Sequence, residues 1–528
     1  MENKRKAVVY QIYPLSFKDS NGDGIGDILG IISELDYLKD LGIDVIWLSP
    51  VYQSPMDDNG YDISDYYEIN PLFGTQDDLM LLLKTAHSKG LKVIMDLVLN
   101  HTSDEHVWFK EALKGPQSPY YDYYIWSKEA SDITSVFSGS AWQYVPHLNE
   151  YYFHLFSVKQ PDLNWQNPRL RQEIYQMINH WLDLGFDGFR LDVIDLIGKD
   201  IHHKQLADGP YLETYLTELY DTCFKGRDVF TVGEMPGISL KRANEITAAQ
   251  KALDMVFQFD HIALDEVSGQ GKWVLKKLDL KALKTTLGHT QHLFKDKGWA
   301  SLFWSNHDQP RAVSRYGNPK EPYRKDSAKM LFTLLFAMKG TPYIYQGEEF
   351  GMTGIEMNIH EYRDIETKNI YQELKAKGWK EADIMTSIYA KSRDNSRTPM
   401  QWNTSPNGGF SNETPWLKMN PNYIRINRDL DVMDADGVIS YVKNLLKIRK
   451  SLDVFTEGEF RLIAENHLNL FIYERVSKKE RLVVICNWTD EVVHNPIDIS
   501  SMTLLLSNAK EHHTLKPYYA GLFYEKRD

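Results

Sequence analysis

The sequence predicts an α/β protein built on a (β/α)8 TIM barrel, with an inserted domain after strand three and a C-terminal antiparallel β domain. Three observations carry this. Eight short β-rich apolar runs alternate with longer segments of helical spacing. The alternation is interrupted once, between Leu97 and Gly188, by a stretch rich in Tyr, Trp, Ser, Asp and Asn. From about Phe455 onward, β-type runs follow one another without helices between them. Strict β-α alternation favours parallel strands, because each crossover helix carries the chain back to the starting end of the sheet. An open doubly wound sheet is the competing arrangement on periodicity alone.

The eight runs are Val8–Tyr13, Asp44–Leu48, Lys92–Leu97, Gly188–Asp192, Val229–Val232, Met255–Phe259, Ala300–Trp304 and Pro342–Tyr345. Helical spacing marks Gly30–Leu41, Gln76–Lys89, Leu170–Leu184 and Lys325–Met338. The aromatic stretch holding Tyr120, Tyr121, Tyr123, Tyr124, Trp126 and Trp142 reads as an insertion on the loop after the third strand, the side of a barrel that carries function. A long loop, about Gly351–Gln401, is expected after the eighth strand, and Leu468–Tyr473 and Leu482–Cys486 start the terminal β domain. The expected division is barrel over 1–102 and 169–453, inserted domain over 103–168 and β-sandwich over 454–528.

Lys and Arg number 60 against 73 Asp and Glu, a formal net charge of −13. Phosphate neutralisation needs basic patches, so nucleic acid and anionic membranes are poor partners. The densest apolar run, Met330–Met338, is far short of the roughly 18 residues of a membrane span. The opening MENKRK leads straight into Ala7–Tyr13 with no cleavage-site pattern, so no secretory signal is expected. The two cysteines, Cys223 and Cys486, are far apart, which excludes a disulfide scaffold and fits a reducing cytoplasm. A cytoplasmic monomer is the expected state.

Charged residues crowd the C-terminal ends of the predicted strands: Asp96, then Arg190 and Asp192, then Glu234, then His307 and Asp308. One carboxylate at a strand end is commonly a cap or half of an ion pair. Several at one mouth repel and shift each other's proton affinity, and that arrangement points to chemistry.

Those residues lie in DLVLNH, GFRLDVID, VGEMPG and NHDQPR, which resemble the four main regions of the α-amylase superfamily, glycoside hydrolase family 13, in order and over the whole chain. QPDLNW (Gln160–Trp165) is similar to the extra region of its oligo-1,6-glucosidase (isomaltase) branch. The resemblance implies Asp192 as nucleophile, Glu234 as general acid/base and Asp308 as stabiliser of the distorted ring. It places Arg190 beside the nucleophile, and His101 and His307 on ring hydroxyls. Retaining hydrolysis needs such a pair: an ionised carboxylate, favoured here by Arg190, and a carboxyl whose proton affinity the site raises. No metal or organic cofactor is required for it.

By the same resemblance, Asp58 in MDDNGYD grips the 4-hydroxyl of a terminal glucose together with Arg397 in SRTPMQW, and Tyr61 stacks on that glucose. A carboxylate–guanidinium pair closing the pocket makes the enzyme exo-acting. Val193, after the nucleophile, matches relatives that prefer α-1,6 links, where α-1,4-preferring ones carry Thr. The implied substrate is isomaltose and short isomalto-oligosaccharides. Trehalose-6-phosphate hydrolase, glucan 1,6-α-glucosidase and broad α-glucosidase are the alternatives. The stretch His261–Gly269 lacks the arginines of isomaltulose synthases, which argues for hydrolysis. The non-catalytic heavy chains of amino-acid transporters carry a membrane helix and lack the full catalytic set.

DSNGDGIGD places Asp19, Asn21, Asp23 and Asp27 at a spacing that suits one hard cation, without the twelfth-position Glu of an EF-hand. The resemblance adds the Ile25 carbonyl and implies structural Ca²⁺. A metal-free Gly/Asp turn is the alternative. His101 and His106 are not at zinc-protease spacing.

Overall fold

The computed structural model describes residues 2–249 and 252–527. Eight strands form one parallel sheet: β1 (Val9–Ile12), β2 (Val45–Leu48), β3 (Lys92–Val98), β4 (Gly188–Asp192), β5 (Phe230–Glu234), β6 (Met255–Phe257), β7 (Ser301–Leu302) and β8 (Thr341–Tyr345). Their spatial order is β6-β5-β4-β3-β2-β1-β8-β7, and a parallel bridge from Val256 to Ala300 joins the two edges. The sheet is therefore closed, and the open-sheet alternative falls. β1, β2, β4, β5, β6, β7 and β8 are buried throughout, as strands covered on both faces must be. Trp47, Phe257 and Tyr343 fill the interior, with Phe257 and Tyr343 ring centroids 4.6 Å apart.

Local chemistry sets the helices around the barrel. The longest, Pro168–Leu184, starts where Asn167 accepts from the Arg169 amide and Pro168 occupies the first position. It buries Leu170, Ile174, Met177, Ile178 and Trp181 at helical spacing and ends at Gly185 in the left-handed region. The chain then enters β4 through Gly188, at φ 152°, where an added Cβ would lie 1.9 Å from the Phe230 carbonyl oxygen. Only glycine lets β4 approach β5 this closely, and that approach sets Asp192 beside Glu234.

Between β3 and β4, strands Trp126–Ser127, Trp142–Val145 and Glu150–Phe153 form a small antiparallel sheet over the barrel mouth. After the barrel, β9 (Glu459–Ile463), β10 (Leu470–Val476), β11 (Glu480–Asn487), β12 (Thr503–Ser507) and β13 (Ala520–Lys526) pair antiparallel in the order β9-β10-β11-β13-β12. Alternate residues of β10 and β11 go two ways: Phe471, Tyr473, Leu482 and Val484 pack on the barrel core, while Leu470, Ile472, Val483 and Ile485 build a second core.

The segment Gly351–Gln401 is not the long loop expected from sequence. It holds helices Ile365–Ala376 and Glu381–Lys391, which pack Ile370, Leu374, Ile384 and Ile388 with Trp273 into a satellite core. The helical spacing of those apolar residues, and Asp364 accepting from the Thr367 amide at 3.1 Å as N-cap, account for it. Among the described residues no helix is long and apolar enough to cross a membrane. Cys223 and Cys486 are both buried and free.

Candidate active site

Parallel register brings the strand-end groups together. Asp96 on β3 sits opposite Arg190 on β4, and Val232 on β5 sits opposite Arg190 from the other side. The buried Arg190 guanidinium is the hub. Its Nη1 donates to Asp96 and, at 2.6 Å, to Asp192 Oδ1, and its Nη2 lies 2.7 Å from Glu234 Oε2. One cation therefore spans both members of the implied catalytic pair. Burial pushes the Asp192 carboxyl well above the usual range; Arg190 pulls it down, while Glu234 and Asp96 push it further up. Arg190 is thus shared among three carboxylates. The sharing arises because β3 and β5 flank β4 and each carries its own acid near its C-terminal end.

Asp308 stands on the far side of the pocket, with 27% of its side chain exposed. Burial would raise its carboxyl, but His307, Arg397 and Arg393 outweigh that and hold it well below the usual carboxylate range. Arg397 Nη2 donates to Asp308 Oδ1 at 2.6 Å, and His307 Nε2 lies 3.1 Å from Asp308 Oδ2. The Gln11 amide meets His307 Nδ1 at 2.7 Å, fixing the ring. Tyr61 stacks face to face on His307, with centroids 5.1 Å apart, and its hydroxyl donates to Asp96 Oδ2 at 3.1 Å. His101 is buried, with Nε2 3.1 Å from the Tyr61 carbonyl oxygen and 3.2 Å from the Gln160 amide nitrogen. Burial lowers its proton affinity, which favours a neutral ring.

Asp58 pairs with a different arginine from the one expected. Arg393, not Arg397, pairs with Asp58, Nη2 to Oδ1 at 2.9 Å. Arg397 turns instead to Asp308 and the His307 carbonyl oxygen. The two arginines are one helical turn apart on the short helix Asp394–Arg397 and its preceding residue, so both reach the pocket at different heights. Asp364 holds Arg393 from behind at 2.5 Å. The i, i+4 pair of arginines in KSRDNSRTPM was the available signal, but nothing in the sequence tells which of them faces Asp58.

Val193 is buried and left-handed, at φ 35° and ψ 44°, a region that disfavours β-branched residues. It packs with Ile133, Trp142, Phe153 and Leu155 of the inserted sheet, and its amide donates to Glu234 Oε2 at 3.2 Å.

In the Asp19–Asp27 loop, Asp19 accepts from the amides of Asn21, Gly22 and Gly24, Asn21 from the Asp23 amide, and Asp23 from the Ile25 amide. Asp27 accepts from Ser20 and caps the next helix at Gly30. Among the described residues, no three His, Cys, Asp or Glu side chains converge as a metal cage. The loop's oxygens are hard donors, and most already accept from the loop's own amides. His106 caps a helix through Nδ1 and takes no part in the site.

Residues 11–458 match the alpha-amylase catalytic domain. The chain belongs to the alpha-amylase family. Within that family it is 49% identical to an oligo-1,6-glucosidase of Halalkalibacterium halodurans, over 99% of each chain. It is 48% identical to a glucan 1,6-alpha-glucosidase of Streptococcus pneumoniae, over 96% of this chain and 95% of the other. The crystal structure of Bacillus licheniformis trehalose-6-phosphate hydrolase superposes with a TM-score of 0.93 at 44% identity, covering 99% of this chain and all of the other. Enzymes of this family need no cofactor for catalysis, and the chain is a glycoside hydrolase.

Proposed function

We propose that the protein is an exo-acting, retaining α-glucosidase that cleaves α-1,6 links at the non-reducing end of isomaltose and short isomalto-oligosaccharides. The observation that carries this reading is a pair of acids bridged by one guanidinium; the buried Asp58–Arg393 pair supports a closed end for the terminal glucose. Asp192 attacks the anomeric carbon while Glu234 gives its proton to the leaving oxygen. Asp192 then carries the glucosyl ester and has lost its charge. Glu234, now ionised, takes a proton from water, which attacks C1 from the face the aglycone left, so α-glucose forms. Asp308, held ionised by Arg397 and His307, binds ring hydroxyls and stabilises the oxocarbenium-like transition state. His101 and His307 complete that hydroxyl set, and Tyr61 walls it.

The domains divide at 102/103, 168/169 and 453/454. The protein acts as a monomer, and it works in the cytoplasm, a location supported by two buried free thiols. Asp19, Asn21, Asp23, Asp27 and the Ile25 carbonyl hold a structural Ca²⁺, supported by an all-oxygen donor set. Val193 selects the linkage.

The test is a panel of isomaltose, isomaltotriose, dextran, maltose, sucrose, panose and trehalose 6-phosphate, with proton NMR of fresh digests. Isomaltose should lead, α-glucose should appear first, and Asp192→Ala and Glu234→Gln should each lose several orders of magnitude in kcat while folding normally. Early β-glucose would overturn retention. Preference for trehalose 6-phosphate would move the protein to the neighbouring activity.

A further inference from the structure

The chain leaves both catalytic strands along matched paths. Three residues beyond Asp192 lies Asp195, and three residues beyond Glu234 lies Gly237. Asp195 is fully buried, and its Oδ2 accepts from the Gly237 amide at 2.8 Å. The Val193 amide reaches the opposite way to Glu234 Oε2. These two bonds are rungs between the end of β4 and the end of β5. The second rung is tightly seated: a Cβ at Gly237 would fall 2.3 Å from Ala207 Cβ and 2.9 Å from Asp195 Oδ2. The Asp195 carbonyl oxygen also accepts from the Asp208 amide, tying in the intervening loop.

Asp195 Oδ1 is buried and has no hydrogen-bond partner among the described residues. Burying a charged carboxylate with one oxygen lacking a donor costs far more than burying the neutral acid in the same place. Burial, opposed by the Gly237 amide, pushes the Asp195 carboxyl up to about 7, with Glu234 and Asp208 adding to the rise. Asp208 is itself paired with Arg242. With its carboxyl raised to about 7, Asp195 is mostly neutral below that pH, and its ionisation above it places a negative charge behind Glu234.

We propose that Asp195 is a positioning residue that sets the separation of Asp192 and Glu234 by clamping the backbone after Glu234, and that its ionisation is read by Glu234. The inference rests on the roles proposed above for Asp192 and Glu234. It touches no substrate atom, so its effect belongs in kcat and in the pH profile rather than in KM.

The experiment compares Asp195→Asn and Asp195→Ala on isomaltose, whose sugar leaving group needs the acid's proton, from pH 5 to 9, with melting curves. Asn keeps an acceptor for the Gly237 amide and stays neutral. Asp195→Asn should keep kcat within about threefold at pH 6. Its alkaline limb should move to lower pH, because a like charge that raises the proton affinity of Glu234 is gone. Asp195→Ala should lose at least about tenfold in kcat with KM changed less than about twofold, the loss expected when a backbone clamp loosens a near-attack geometry. An Asn variant with the wild-type alkaline limb, or an Ala variant with wild-type kcat, overturns the proposal. The Asn profile decides the matter even if the Ala variant does not fold. Glu234→Gln, measured alongside, separates the two levels: if it stays active, the acid/base assignment fails and takes this inference with it.

Discussion

Removing the Arg393 guanidinium is the sharpest probe of how the pocket is closed. Arg393 Nη2 lies 2.9 Å from Asp58 and 2.5 Å from Asp364, and Nη1 lies 3.5 Å from Asp308. All but Asp308 are nearly or wholly buried. Arg393→Ala leaves buried Asp58 without its cation and Asp364 with only the more distant Arg397, at 3.9 Å, and breaking a buried pair in this way costs about 3–5 kcal/mol. Part of that falls on folding and part on substrate. A charge-assisted bond from Arg393 to a terminal glucose is worth about 1.5–3 kcal/mol, or roughly tenfold to a hundredfold in kcat/KM. The assay is kcat/KM on isomaltose and isomaltotriose, with a melting curve and the viscosity of a dextran digest. The expected outcome is a loss in that range, a lower Tm, and weak internal cleavage of dextran as the closed end opens. Asp58→Asn should show the same substrate pattern with a smaller fall in Tm, because it leaves no unpaired anion. Wild-type kcat/KM in Arg393→Ala would refute the clamp. A loss in Arg397→Lys confined to KM on short substrates would return the role to Arg397.

The other expectations are these. Val193→Thr should raise maltose activity relative to isomaltose by a few-fold to about tenfold, the worth of one hydrogen bond of about 0.5–1.5 kcal/mol; an unchanged ratio removes Val193 as linkage selector. A chelator should lower Tm while sparing kcat at low temperature, and added Ca²⁺ should restore it; a melting curve indifferent to both makes the Asp19–Asp27 loop a plain turn. Glu348 is buried and its carboxyl is raised to about 8 by burial, against about 4.3 in an unfolded chain. The folded state then binds the extra proton between those values, so its contribution is present below about pH 4 and is lost as pH rises toward 8. Glu348→Gln should therefore raise Tm at pH 8 relative to pH 5 more than in wild type, as followed by calorimetry; an identical pH dependence would remove Glu348 as its source.

Much of this molecule was written in local pattern. The eight strands were legible because apolar runs covered on both faces leave a continuous signature, and β4 was bounded by Gly188 and Asp192 as expected. The clustered carboxylates Asp96, Asp192 and Glu234 were legible because strand ends are positions in sequence as well as in space. Helical spacing at Ile370, Leu374, Ile384 and Ile388 was also present in the segment expected to be a loop.

Residue order by itself determined the alternation of elements, the acids at one barrel mouth, and the presence of arginines near the pocket end. The tertiary structure alone decided which partner each charge takes. A guanidinium pairs with whatever carboxylate the fold brings within about 3 Å, and sequence separation carries no information on that distance. So Arg393, 335 residues from Asp58, took the place expected for Arg397. So too Arg190 came to serve three acids, because the order of the sheet set β3 and β5 on either side of β4. The matched rungs from Val193 to Glu234 and from Asp195 to Gly237 have the same origin: they exist only because Gly188 lets β4 and β5 run close enough for their ends to bond.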